Sequence, residues 1–255
     1  MMNAMNKTGS MNIFSKFRRL WISIGIILVL YFSFVGFWTG FYTKRKIIHD
    51  IQRSTGLVVS IGYSHIYPFT GNGTMKNIEL RNPSGFISKN ALSIQEIKFS
   101  GNVKSLYAEE IHLNTMEFNG IELHVDYRGG QTNLSKLAMS ASEAHSRFYS
   151  SSEVGFKTVR LDQLNLGEFL IQLGPRILNL EPPVLKLKPV ALESIGFEAE
   201  GSTLRQLGIR LAKIYLDDAE NQLQHPPVGI NENIAQELKT YIGIAKQYVN
   251  VRSSN

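Results

Sequence analysis

From residue 57 onward, apolar positions recur with the period of strands rather than helices. Val59, Ile61 and Tyr63 alternate, "PFTGNG" (68–73) supplies a turn, and Met75, Ile78 and Leu80 run into an Asn82-Pro83-Ser84-Gly85-Phe86 corner. Leu92, Ile94, Ile97 and Phe99 follow at spacings 2-3-2. Ile111, Leu113, Met116, Phe118, Ile121, Leu123 and Val125 then repeat the theme at 2-3-2-3-2-2. The same spacings return at Val159, Leu161, Leu164, Leu166, Phe169, Ile171 and Leu173, each 48 residues after its counterpart. A shorter echo runs through Leu185, Leu187, Val190, Leu192, Ile195 and Phe197.

A step of two keeps one face of a strand apolar, and a recurrent step of three is one extra residue. The expected device is a β-bulge, which returns the same face inward and adds twist. Gly120 and Gly167 fall in such steps. These runs predict long, strongly curved strands, each with one apolar face. That face makes either a core against helices or a trough for acyl chains. In the corner, Pro83 lacks an N–H and biases Asn82 towards extended backbone, while Gly85 permits a positive φ. The corner therefore lies outside a central ladder, with Phe86 folding back over the sheet edge. Replacing Gly85 is expected to cost more than replacing Asn82.

Helical spacing appears in three places. Leu134, Leu137, Ala138, Ala141, His145 and Phe148 follow Thr132 and Asn133, either of which can cap the start. Leu204, Leu207, Leu211, Ile214 and Tyr215 follow Ser202 and Thr203. Past a linker at 224–230, Ile234, Leu238, Tyr241, Ile242, Ala245 and Val249 describe an amphipathic C-terminal helix over 231–255, with Asn231 as its cap.

Leu20 to Thr43 contains no charged residue, enough for roughly 20 apolar residues to cross a bilayer core of about 30 Å. Trp21 at one end, with Trp38 and Tyr42 at the other, suits interfacial aromatic belts. A cleaved signal would have a shorter apolar core. Residues 1–19 thus read as a basic cytoplasmic tail, 20–43 as a membrane helix and 44–56 as a helical stalk. The exported β-rich domain then spans 57–223.

Charge supports this partition. Four of the 27 basic residues, Lys7, Lys16, Arg18 and Arg19, lie in the acid-free first 19 residues and leave only +2 of the net +6 for the remainder. The basic balance is a topology device placing the N-terminus in the cytoplasm, and it offers no nucleic-acid surface. There is no cysteine, which removes disulfides and thiolate metal sites.

No catalytic pattern emerges. HExxH, the G-x-S-x-G elbow and the phosphate loop are all absent from the sequence. His112 and His124 read as surface histidines, although neighbouring strands could bring them together with Asp126 as a metal site. Asp217, Asp218 and Glu220 read as a solvated helix face. The expectation is a protein without enzyme activity, cofactor or metal.

"TGLVVSI" after a membrane helix, "MKNIELRNPSGF", "ALSIQEIKFS" and "SLYAEEIHLNTMEFNGIELHVDYRGGQTNLSKL" together resemble the short, single-anchor AsmA-like bacterial envelope proteins. Asn82, Pro83, Gly85 and Phe86, with Asn133 and Leu134 at the start of a helix, carry the likeness, which covers roughly residues 20–220. Asn119-Gly120 departs from it where a proline would be expected. The resemblance implies an inner-membrane anchor, a twisted sheet in the periplasm and a role in envelope lipid homeostasis. The face expected to meet lipid comprises Ile111, Leu113, Met116, Phe118, Ile121, Leu123, Val159, Leu161, Leu164 and Leu166. The alternative is an assembly subunit that docks envelope proteins or copies of itself through that face and the C-terminal helix.

Overall fold

The computed structural model describes residues 10–67, 69–102, 105, 110–149, 158–174, 182–196, 204–226, 230 and 232–253. Most of the tail, Phe197, and the capping positions Ser202, Thr203 and Asn231 lie outside them. The fold is α+β, with one long N-terminal apolar helix and a mixed, mostly antiparallel sheet.

Helix α1 runs unbroken from Ser10 to Thr55, so the membrane helix and the stalk are one element. At 1.5 Å per residue its 46 residues span about 69 Å, roughly twice a bilayer core. It ends where Gly56 takes φ +68° and donates its N–H to the Gln52 carbonyl. The stretch from Ile24 to Arg53 is long and apolar enough to cross a membrane. From Ile22 to Phe34 its described side chains are exposed, as lipid-facing residues would be.

Strands β1 (Val59–Tyr67), β2 (Asn72–Arg81), β3 (Asn90–Gly101) and β4 (Glu110–Val125) form an antiparallel meander. The chain then makes a small hairpin, β5 (Tyr127–Arg128) and β6 (Gln131–Thr132), and helix α2 (Asn133–Tyr149). It returns as β7 (Thr158–Leu166) and β8 (Phe169–Leu173), both parallel to β4. Strands β9 (Val184–Leu187) and β10 (Val190–Ile195) close the far edge antiparallel to β8 and β7. Helices α3 (Leu204–Gln222) and α4 (Glu232–Ser253) complete the chain.

The 48-residue echo is the register of the parallel pairing. Ile111 faces Val159, Leu113 faces Leu161, Phe118 faces Leu166 and Leu123 faces Ile171, all at an offset of 48. Parallel strands need the same pattern in phase, whereas antiparallel strands need its mirror image. A 2-3-2-3-2 pattern reads alike in both directions, so it serves the antiparallel neighbours too.

The expected single-strand bulges prove to be something else. The three-residue steps Ile61–Ser64, Met75–Ile78, Ile94–Ile97, Phe118–Ile121, Leu166–Phe169 and Leu187–Val190 lie opposite one another across the sheet. Every strand carries its extra residue on the same line, so the register is preserved through it. Asn77 (φ +53°) and Gly120 (φ +62°) take left-handed backbone there. True register shifts occur only near Leu80/Arg81 and Ser100/Gly101 among the described pairs. At the second, β4 has Asn114 where β3 has no counterpart, because Phe99 to Gly101 is a step of two and Leu113 to Met116 a step of three.

From Thr39, near the end of its uncharged run, α1 lies along the edge strand β1. Thr39 donates its hydroxyl to the Ile66 carbonyl (2.9 Å), and Lys44 donates Nζ to the Gly62 carbonyl (3.0 Å). These satisfy outward-facing groups of an edge strand, which would otherwise invite pairing. Gly40 permits the approach, since a Cβ there would fall 2.3 Å from the Ser64 carbonyl oxygen. The helix buries Ile61 and Ser64 but leaves Tyr63 and Tyr67, on the opposite face, exposed.

At the other side of the sheet, α3 lays Leu207, Leu211 and Tyr215 on a core of Ile121, Leu161, Leu164, Leu166 and Ile195. Asp218 accepts the Lys188 N–H (2.9 Å), and Gln222 donates to the Lys186 carbonyl (2.7 Å), pinning α3 over the β9–β10 break. Helix α4 is not the free docking element its sequence suggested. Its Ala235, Leu238 and Ile242 pack on Leu185, Leu223 and Ile230, and Lys246 pairs with Asp217 and Glu220 of α3. The acidic cluster on α3 is thus an internal tie, which raises the Lys246 pKa through its bonds to Asp217 and then Glu220.

Because the Gly40 contact is to backbone, it cannot relax by a rotamer change. Gly40→Val should lower unfolding stability by about 1–3 kcal/mol, whereas Gly25→Ala, with nothing within 4 Å, should be neutral or slightly stabilising. Chemical denaturation of the detergent-solubilised protein measures both; equal effects would show that α1 is not seated on β1.

Candidate functional site

The residues singled out in the sequence divide into two places. The first is the end of the sheet where β2 turns into β3. Asn133, completely buried, donates Nδ2 to the Asn82 side-chain oxygen and to the His124 carbonyl, each at 2.7 Å. Its own Oδ1 accepts the Asp126 N–H at 2.9 Å. Asn82 in turn donates Nδ2 to the Ser88 carbonyl (2.7 Å) and its N–H to the Lys89 carbonyl (3.0 Å), closing the corner loop. The Asp126 carboxylate, 2% exposed, accepts the Ser88 N–H (2.7 Å) and hydroxyl (2.8 Å).

Two motifs 51 residues apart are therefore halves of one lock. Because Asn133 is spent inside it, Thr132 caps α2 by accepting the Ser135 N–H at 3.1 Å. Gly85 does take a positive φ, +99°, but a Cβ there would meet only the Arg128 guanidinium at 3.6 Å. Arg128 also donates to the Gly85 carbonyl. Phe86 does not fold over the sheet edge; its half-buried ring lies 5.3 Å beneath the Lys136 ammonium of α2. Pro83 and Leu134 are half-buried beside this lock.

The lock also settles where Asp126 points. Its carboxylate faces Ser88, and His112 pairs instead with Asp162 at 2.8 Å. The conceivable site of His112, His124 and Asp126 is not assembled, and among the described residues no group of three such side chains is placed to hold a metal.

The second place is the apolar face. Its ten candidate residues share one side of the sheet but differ in cover. Leu161 and Leu164 are 1% exposed, and Ile121, Val159 and Leu166 are also buried. These five form sealed interior, and a lipid could not reach them without displacing core packing. Ile111, Leu113, Met116, Phe118 and Leu123 on β4 are only half-buried. Sequence reasoning missed their neighbours in the same rows. Phe118 continues into Ile97 and Met75, Ile121 into Ile94 and Ile78, and Leu123 into Leu92 and Leu80. The signal was present, since those strands carry the same spacing. The less covered part is a floor over β2–β4, half-buried except at Ile97 and Ile121, which are buried, and bordered by α1 along β1 and by α3 over β7 and β10.

Tyr215 marks the α3 border. Its ring meets Phe169 edge-on at 4.9 Å, and its buried hydroxyl has no hydrogen-bond partner among the described residues. Burial, and then the nearby Asp218 charge, push its pKa up to about 12.

Compared with protein-family models, with curated proteins and with solved structures, the chain matches none.

Truncating Asn133 strands Asn82 Oδ1, the His124 carbonyl and the Asp126 N–H together, each unsatisfied buried group costing about 1–3 kcal/mol. Asn133→Ala should therefore destabilise by roughly 3 kcal/mol or more, and Asn82→Ala by more than Gly85→Val, reversing the order expected from the sequence. A double-mutant cycle should give Asn82 and Asn133 a coupling above about 0.5 kcal/mol; additive effects would dissolve the lock. For Tyr215, the neutral phenol is favoured in the fold. Its contribution is complete below the unfolded pKa near 10 and is lost as pH rises towards 12. Tyrosinate absorbance of the folded protein minus that of Tyr215→Phe should show a group ionising about two units late, and a difference titrating near 10 would contradict the burial.

Proposed function

We propose that this chain is a non-catalytic, membrane-anchored module that holds an acyl chain on the apolar floor over β2–β4. The carrying observation is the change in cover along continuous rows. The same apolar rows that are sealed at Leu161, Leu164 and Leu166 stay half-buried at Leu113, Met116 and Phe118, alongside a helix able to cross a membrane. An acyl chain laid there gains about 0.8 kcal/mol per buried CH₂, so a dozen methylenes outweigh the cost of ordering the chain.

The basic tail supports a cytoplasmic N-terminus with the sheet on the far side of the membrane. The lock between Asn82 and Asn133 supports reading the two AsmA-like motifs as one working unit. On that likeness the compartment is the periplasmic side of a bacterial inner membrane, and the task belongs to envelope lipid homeostasis. The matched three-residue steps, with left-handed Asn77 and Gly120, are the line along which such a sheet would curve around its ligand. Docking of partners through α4 loses its motive, because that helix already spends Ala235, Leu238 and Ile242 within the chain.

A photocrosslinking residue at position 118 in living cells should yield lipid adducts, and Phe118→Asp should stay folded while losing co-purified lipid in native mass spectrometry. Leu164→Asp, in the sealed half, should fail to fold. Protein adducts from position 118 would make the floor a docking surface, and unfolding of Phe118→Asp without any adduct would make it ordinary core.

A further inference from the structure

Three contacts set the height of the sheet against α1. Strand β1 runs antiparallel to the helix, with Gly62 beside Lys44, Ser64 beside Gly40 and Ile66 beside Thr39. Lys44 is the first charged residue after the uncharged run that begins at Leu20. Each residue of β1 after Gly62 therefore descends past the charged collar towards the apolar half of α1. Thr39 lies about 7–8 Å below Lys44 along the helix, so Ile66 is already within the uncharged segment.

The chain continues downward for one or two more residues before it turns. The N–H groups of Thr70 and Gly71 both donate to the Tyr67 carbonyl, which makes 67–71 the tip of the β1–β2 hairpin. At about 3.3 Å per strand residue, the tip reaches the level of Val35 to Trp38. Its side chains suit that depth. Phe69 is 65% and Tyr67 49% exposed, and Trp38 and Phe34 of the helix are exposed at the same height. Between Arg53 and Lys76 the sequence has no Asp, Glu, Lys or Arg, so nothing charged is carried down with the tip. Tyrosine and tryptophan, aromatic with one polar end, settle at the boundary between headgroups and acyl chains, as Tyr67 and Trp38 would here, and Phe69 adds an exposed apolar ring beside them.

We infer that the β1–β2 turn, through Tyr67 and Phe69, is a second membrane-contacting element that enters the bilayer interface beside α1. Its partner is the lipid surface itself. Two points of attachment fix the tilt of the sheet, where a single helix would let it swing. The strands then stand upright, with the row Phe99–Met116–Leu164 at the membrane end and the Asn82–Asn133 lock at the far end. The half-buried floor consequently opens at the bilayer, where an acyl chain could enter without crossing water. This inference rests on α1 crossing the membrane, as proposed above.

The chain has no cysteine, so single-site labelling is clean. Spin labels at Phe69→Cys and, separately, Thr70→Cys, in the full-length protein reconstituted in phosphatidylethanolamine–phosphatidylglycerol nanodiscs, report depth through collisions with oxygen and with a water-soluble nickel chelate. Ile27→Cys marks the bilayer interior and Ile87→Cys the distal end of the sheet. The expected result is oxygen-dominated relaxation at 27, interfacial values at 69 and 70 with chelate accessibility at least threefold below that at 87, and an aqueous label at 87. Aqueous values at both 69 and 70 with a lipid-embedded 27 would overturn the seating of the turn while leaving the anchor intact. An aqueous label at 27 would overturn the anchor and the seating together.

Discussion

The structure depends on one constraint: every strand must return the same face to the same side after its extra residue. A lone extra residue must be absorbed as a bulge, as Asn114 is on β4, or it would flip all later side chains relative to a neighbour that lacks it, since the side-chain period is two. Here the interruption is placed opposite its counterparts from Ile61–Ser64 on β1 to Leu187–Val190 on β9 and β10, and the apolar rows stay continuous. That alignment permits a single face to be core under α3 and floor elsewhere. It also explains why the parallel return of β7 and β8 keeps an offset of 48 throughout.

The far end of the sheet is held by polar chemistry where no apolar packing could specify it. Asn133, fully buried, offers two donors and an acceptor, and Asn82, His124 and Asp126 use all three. Buried amides satisfied in this way define one geometry, because any other leaves several groups unpaired. The lock joins β2, β4 and α2, so the corner and the crossover to β7 are positioned together. Asp126, bound to Ser88, belongs to this scaffold and not to a metal site.

Helix α1 does two jobs that sequence separates into anchor and stalk. Its apolar half can cross a membrane, and from the end of that half onward it covers the edge of β1, at Gly40 so closely that only glycine fits. A helix of this length without a partner beyond the bilayer would leave both itself and the strand edge exposed. Their union sets the sheet at a defined height, from which the roles proposed for the floor and for the β1–β2 turn both derive.

Spacing alone determined a great deal: the α+β class, the strand-rich middle, the apolar face from Ile111 to Leu166 and the helix able to span a bilayer. Those features depend on period and run length, which a linear chain displays directly. The extra residues at Gly120 and Gly167 were legible as interruptions, but whether they were bulges depended on neighbours many residues away. The same holds for the split of the apolar face, since Leu164 and Phe118 look alike until the folded chain buries one and leaves the other half-buried. Asn82 appeared less important than Gly85 because a left-handed backbone is a local property, whereas a hydrogen bond across 51 residues is not. The fate of α4 was equally hidden: an apolar stripe signals that something will cover it, and only the folded chain decides that the cover is its own core.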